Sequence, residues 1–106
     1  MIQVAIKEDH TVFRELLSDS LHRKKEIEVT IGVANGSDLL AQIRINVPEI
    51  VLLDLHMQVM DGPTVLEIIR SKFPMVRVII LCLQYSDIHV RKIHEIGYHR
   101  VSLQRR

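Results

Sequence analysis

The sequence contains one cysteine, Cys82, among 106 residues. That excludes an intrachain disulfide framework and is the usage expected in a reducing compartment. Apolar runs do not exceed about eight residues, far short of the roughly 20 needed for a membrane-spanning helix. The opening stretch from Met1 to Ile6 is apolar but short, and Lys7, Glu8 and Asp9 follow it directly, which is not the layout of a secretory leader. These absences predict a cytoplasmic protein without membrane contact. An excess of charge of one sign is missing too: 14 Lys and Arg face 13 Asp and Glu, for a formal net charge of +1. With no long basic run, and with Arg105 and Arg106 reading as a solvated tail, the electrostatic footprint of a direct nucleic-acid binder is lacking. Linkers, internal repeats and low-complexity segments are also missing, so residues 1–106 are expected to form one domain. The balance of 47% hydrophobic and 25% charged residues is that of a globular chain and argues against disorder.

Two periodicities alternate along the chain. Ile2 to Ile6 is β-prone. From Thr11 onward Val12, Phe13, Leu16, Leu17 and Leu21 recur at helical spacing and predict one apolar helix face. Ile27, Val29 and Ile31 alternate as in a strand. Asn35-Gly36 signals a turn, after which Ser37 is expected to cap a helix carrying Leu39, Leu40, Ile43 and Val47. Pro48 breaks the chain, and Ile50 to Leu53 reads as a strand buried on both faces, as in a parallel sheet. Gly62-Pro63 opens the next helix, with Val65, Leu66, Ile69 and Phe73 facing inward until Pro74. Val76 to Leu83 predicts another buried strand. A helix from about Asp87 to Ile96 follows, with Gly97 as its stop, and Val101 to Leu103 forms the last strand. Strands alternating with helices predict an α/β fold with a parallel sheet covered on both faces. A covering helix after the last strand is missing, which leaves either a truncated chain or a face covered by a partner.

Ligands of open α/β sheets bind beyond the carboxyl ends of the strands. The residues delivered there are Glu8 and Asp9 after the first strand, Asp54 after the third, Cys82 near the end of the fourth, and Gln104 and Arg105 after the fifth. If the first and third strands are neighbours, three carboxylates meet. Two carboxylates about 5 Å apart at an effective dielectric of ~20 repel by roughly 3 kcal/mol. Either one carboxyl takes up a proton or a cation binds. A hard divalent ion such as Mg²⁺ prefers oxygen donors, so the cluster predicts a Mg²⁺ site. Glu8 and Asp9 have an ordinary alternative as acids at a helix start. Asp54, flanked by Leu53 and Leu55 at a buried strand's end, is harder to explain without a function, because buried carboxylates are rare unless paired.

The segments Lys7-Glu8-Asp9-His10, Val12-Phe13-Arg14, Val33-Ala34-Asn35-Gly36, Leu52-Leu53-Asp54-Leu55-His56-Met57 and Met60-Asp61-Gly62 together resemble the receiver domain of two-component response regulators. His10 and Phe13-Arg14 are similar to the subfamily with a LuxR-type DNA-binding output domain. The resemblance implies a flavodoxin-like, doubly wound five-stranded parallel sheet of order 2-1-3-4-5, here without its last helix. It implies a C-terminally truncated receiver whose output domain is absent. It further implies Asp54 as phosphoacceptor, Mg²⁺ held by Glu8, Asp9, Asp54 and the backbone carbonyl of His56, and a sensor histidine kinase as donor. A homodimer is allowed, and DNA would be reached only through an output domain. Catalysis would be limited to the domain's own phosphorylation and dephosphorylation.

Several positions depart from the family pattern. Cys82 stands where a hydroxyl residue is expected, and a thiol is a weak donor. Gln104 stands at the lysine position, without the charge that strengthens such a bond; one residue on, Arg105 could supply the cation. Val101 replaces the switch aromatic, and Gln58 a proline. The alternative these departures suggest is a degenerate receiver that acts as an interaction or dimerisation module without phosphorylation. A flavodoxin-like cofactor binder would need a hydroxyl- and glycine-rich loop where this chain has two acids. The histidines (His10, His22, His56, His89, His94, His99) contain no pair at four-residue spacing and give little support to zinc. Cys82, within an apolar run, reads as a packed core thiol and not as a nucleophile.

Overall fold

The structure is a computed structural model and describes residues 1–54, 62–82 and 100–103. The elements are β1 (Ile2–Lys7), α1 (Thr11–His22), β2 (Ile27–Val33), α2 (Gly36–Ile45), β3 (Ile50–Asp54), α3 (Gly62–Lys72), β4 (Arg77–Cys82) and β5 (Arg100–Leu103). The helix expected near 87–96 lies outside the described residues. The strands pair in parallel in the order β2-β1-β3-β4-β5, the flavodoxin-like arrangement expected from the sequence. Among the described residues no helix is long and apolar enough to cross a membrane.

β3 is the centre of this sheet, and Val51, Leu52 and Leu53 are all buried. Consecutive side chains of a strand point to opposite faces, so an uninterrupted apolar run is what a strand covered on both sides requires. On one face Ala5, Val51, Leu53, Val78 and Ile80 pack with Leu39, Leu40 and Ile43 of α2 and Val65, Leu66 and Ile69 of α3. On the other, Val4, Ile6, Leu52 and Leu81 form a smaller cluster, against which the half-buried Leu17 and Leu21 of α1 are packed.

Three local expectations are corrected. The apolar face of α1 is narrower than its periodicity suggests: Val12 is 70% exposed and Leu16 62%, because the helix meets the sheet through Leu17 and Leu21. Asn35, not Ser37, caps α2. Its Oδ1 accepts from the Asp38 N–H at 2.8 Å, a cap contributing about 1 kcal/mol, while Ser37 lies inside the helix and Val47 lies beyond its end, exposed. Finally, Ile27, Val29 and Ile31 do not share a face. The pairing of β1 with β2 slips between Val4 and Ala5, so that Val4 meets Val29 but Ala5 meets Ile31. The skipped residue, Thr30, reverses the alternation. Ile27 and Val29 therefore pack on the α1 side and Ile31 on the other.

Candidate functional site

Because the strands run in parallel, their carboxyl ends share one rim. β1, β2, β3 and β4 bring Lys7, Val33, Asp54 and Cys82 there. Asp54 is the last residue of β3, in register opposite Leu81 of β4, and only 2% of it is exposed. A buried carboxylate requires compensation, and Lys7 provides part of it. The Lys7 ammonium lies 3.8 Å from Asp54 Oδ2 and donates to the Asp54 backbone carbonyl at 3.5 Å. Lys7 is itself fully buried. It pairs with Leu53 across the β1–β3 ladder, one residue short of Asp54, and its long stem covers that offset.

Glu8 leaves the end of β1 and is buried. Its N–H donates to the Val33 carbonyl at 3.0 Å, and its own carbonyl accepts from the Arg14 guanidinium at 2.5 Å. Its Oε2 accepts from the His10 N–H at 3.0 Å and lies 3.2 Å from His10 Nδ1. The carboxyl of Asp9 interacts with those of both Glu8 and Asp54, and its Oδ1 is 3.4 Å from His10 Nδ1. The structure thus brings Asp9 to both Glu8 and Asp54, while the tightest group of possible donors among the described residues is Glu8, Asp9 and His10.

Burial pushes the Asp9 carboxyl up, but its contacts with Glu8 and Asp54, together with the charges of Lys7 and His10, outweigh this and hold it below its ordinary value. For Lys7 burial dominates and lowers the ammonium, against the opposing pull of Asp54, Asp9 and Glu8. Three carboxylates against the Lys7 ammonium and the Arg14 guanidinium still leave one negative charge in excess at the rim. Oδ1 of Asp9 is buried and finds no hydrogen-bond partner among the described residues. A buried carboxylate oxygen with the His10 ring at 3.4 Å but no hydrogen bond, beside further carboxyls, suits a hard cation. Donor atoms of Glu8, Asp9 and His10 lie within 4.8 Å of one another. The oxygen donors present fit a divalent ion of the Mg²⁺ class better than a soft metal.

Cys82 is the final residue of β4, paired through its backbone with Leu103 of β5. Its side chain, the side chain of Val101, and the residues His56, Gln58, Gln104 and Arg105 lie outside the described residues. Two residues at the rim were not singled out from the sequence. Lys7 carried a readable signal, since it is a lysine that continues an apolar strand into a pair of acids. Arg14 was read only as part of the subfamily pattern, and nothing in the sequence pointed to its place at the rim, because a cation one turn into a helix is ordinary.

The response regulator receiver domain family matches residues 4–101, almost the whole chain. The chain belongs to this family. Among solved structures, this receiver domain is similar to a DNA-binding response regulator of the LuxR family from Staphylococcus aureus, with a TM-score of 0.91 and 25% identity, covering 97% of this chain and 86% of that one. The signal receiver domain of a response regulator described as NarL, from Mycobacterium tuberculosis, gives a TM-score of 0.87 at 26% identity, covering 96% and 82%. Among curated proteins, the transcriptional regulatory protein LnrK of Bacillus subtilis is 32% identical over 81 residues, which is 76% of the receiver domain and 37% of LnrK. A protein-glutamate methylesterase/protein-glutamine glutaminase of Clostridium acetobutylicum is 34% identical over 70 residues, or 66% of the receiver domain and 20% of that protein. The receiver domain therefore spans between a fifth and two fifths of the length of these curated relatives.

Proposed function

We propose that this receiver domain accepts a phosphoryl group on Asp54 from a sensor histidine kinase, with Mg²⁺ as its cofactor. The observation that carries this reading is a buried carboxylate at the end of the central strand, within reach of Asp9 and of the Lys7 ammonium. In the proposed reaction an Asp54 carboxylate oxygen attacks the phosphorus. The new O–P bond forms as the P–N bond to the donor imidazole breaks, and the electron pair leaves on that nitrogen, which takes a proton from solvent. Glu8, Asp9, Asp54 and the backbone carbonyl of His56 would hold the ion. When bound, Mg²⁺ offsets charge on the phosphoryl oxygens as they approach the acids. The rest falls to the chain. The ends of β1 and β3 fix Asp54 against the neighbouring acids, and burial keeps competing water away from the nucleophile.

In this reading residues 1–106 are the receiver unit of a longer regulator, and any DNA contact is made by an output domain outside them. LuxR-family similarity supports a transcriptional output, and the methylesterase relatives indicate that other outputs occur beside such domains. Cys82 and Gln104 occupy the hydroxyl and lysine positions that would read the phosphorylated state. Since a thiol is a weak donor and glutamine is uncharged, the conformational response would be weak even where phosphorylation is efficient.

The test is incubation with acetyl phosphate and Mg²⁺, followed by intact-mass measurement. The wild type is expected to gain one phosphoryl mass, which is lost on treatment with hydroxylamine, and Asp54→Asn to gain none. Equal behaviour of the two proteins would remove Asp54 from the reaction.

A further inference from the structure

Lys7 is the strongest unassigned feature of the molecule. Fully burying an ammonium is costly unless charge and hydrogen bonds compensate it, and here the compensating groups belong to the acid rim. Its Nζ stands 3.8 Å from Asp54 Oδ2 and 3.5 Å from the Asp54 carbonyl oxygen. Its charge also acts on Asp9, and those of Asp9 and Glu8 act on it. The carboxylate it touches is the one that would also ligate the divalent ion. Two cations cannot crowd one carboxylate without repulsion, and that repulsion is strong where water is excluded.

We propose that Lys7 is the resting counter-ion of Asp54 and a positioning residue for its reaction, aiming the carboxylate and competing with the divalent cation for it. The inference rests on the phosphoacceptor reading of Asp54 and goes further, by assigning to β1 a cation that sets how tightly the ion is held. The charges support the assignment. Of the cations at the rim, the Arg14 guanidinium is engaged by the Glu8 backbone carbonyl, whereas the Lys7 ammonium lies against the Asp54 carboxylate itself.

The experiment is a Mg²⁺ titration of wild type, Lys7→Met and Lys7→Arg by calorimetry. In parallel, the Lys7 Cε resonance is followed by NMR in lysine-labelled wild type. Lys7→Met is expected to bind Mg²⁺ at least about tenfold more tightly than wild type, and Lys7→Arg to stay within about threefold. The Lys7 resonance should shift with the calorimetric midpoint, and Asp54→Asn should abolish the shift. A role confined to packing predicts the opposite, since a damaged rim binds the ion more weakly. Unchanged or weaker Mg²⁺ binding by a folded Lys7→Met overturns the proposal, as does an ion bound by neither protein. Should Lys7→Met not fold, the wild-type resonance decides: a shift supports the competition and a stationary signal overturns it. These readouts require no phosphorylation. A wild type that takes up no phosphoryl group would defeat the phosphoacceptor reading, while the titration and the resonance would still decide whether Lys7 and Mg²⁺ compete.

Discussion

Among the described residues thirteen apolar ones are buried together on the α2–α3 side of the sheet, while on the α1 side four are, surrounded by half-buried neighbours such as Leu17, Leu21 and Ile79. The strands are the same and so is their apolar content; the difference lies in what covers them. α2 and α3 lay buried leucines, isoleucines and valine onto the sheet. α1 has no fully buried residue among its twelve, and Val12 and Leu16 face outward. Most described apolar burial sits on one face, and the acids and their lysine sit at the rim where both faces end.

Matched truncations probe this asymmetry most directly. Leu66→Ala empties a fully buried site between α3 and the sheet and should cost about 3 kcal/mol in urea denaturation. Leu17→Ala removes a half-buried side chain on the α1 side and should cost about 1 kcal/mol. Equal losses would mean that the two faces are equally sealed. A smaller effect is expected from Asp9. Its folded pKa lies below the ordinary 3.8, so it contributes stability above that value and loses it as pH falls through the folded one. Asp9→Asn should therefore flatten the loss of stability on acidification, measured by denaturation between about pH 5 and pH 2. Lys7 works at the other end of the scale. Its folded pKa is lowered from 10.5, so the folded state gains stability as pH rises from the folded value through 10.5. The smallest effect belongs to Leu16→Gln, which should change stability by no more than about 0.5 kcal/mol. A larger loss would show that the outer side of α1 is packed against something.

Much of this was legible in the chain. The order of the described elements, the parallel sheet and the burial of Val51 to Leu53 follow from periodicity, because a doubly covered strand must be apolar throughout, whereas the central place of that strand came with the family resemblance. Asp54 could be named for a related reason, since a carboxylate ending a buried strand has few structural uses, whereas Glu8 and Asp9 also read as acids at a helix start and were named for their convergence with it. What was not legible depended on relations between distant segments. The slip at Thr30 is invisible in a sequence that alternates regularly, since only pairing with β1 reveals it. Asn35 and Ser37 are both good caps, and the choice between them rests on where the backbone turns. The burial of Lys7 depends on β3 ending one residue beyond it, a matter of register that composition does not encode.

The hydrogen bond from Arg14 to the Glu8 carbonyl ties the first helix to the acid-bearing loop. It adds a polar mooring to the packing of Leu17 and Leu21 against the sheet. Rolling α1 by a fraction of a turn would draw the guanidinium away and tug the peptide between Glu8 and Asp9 with it.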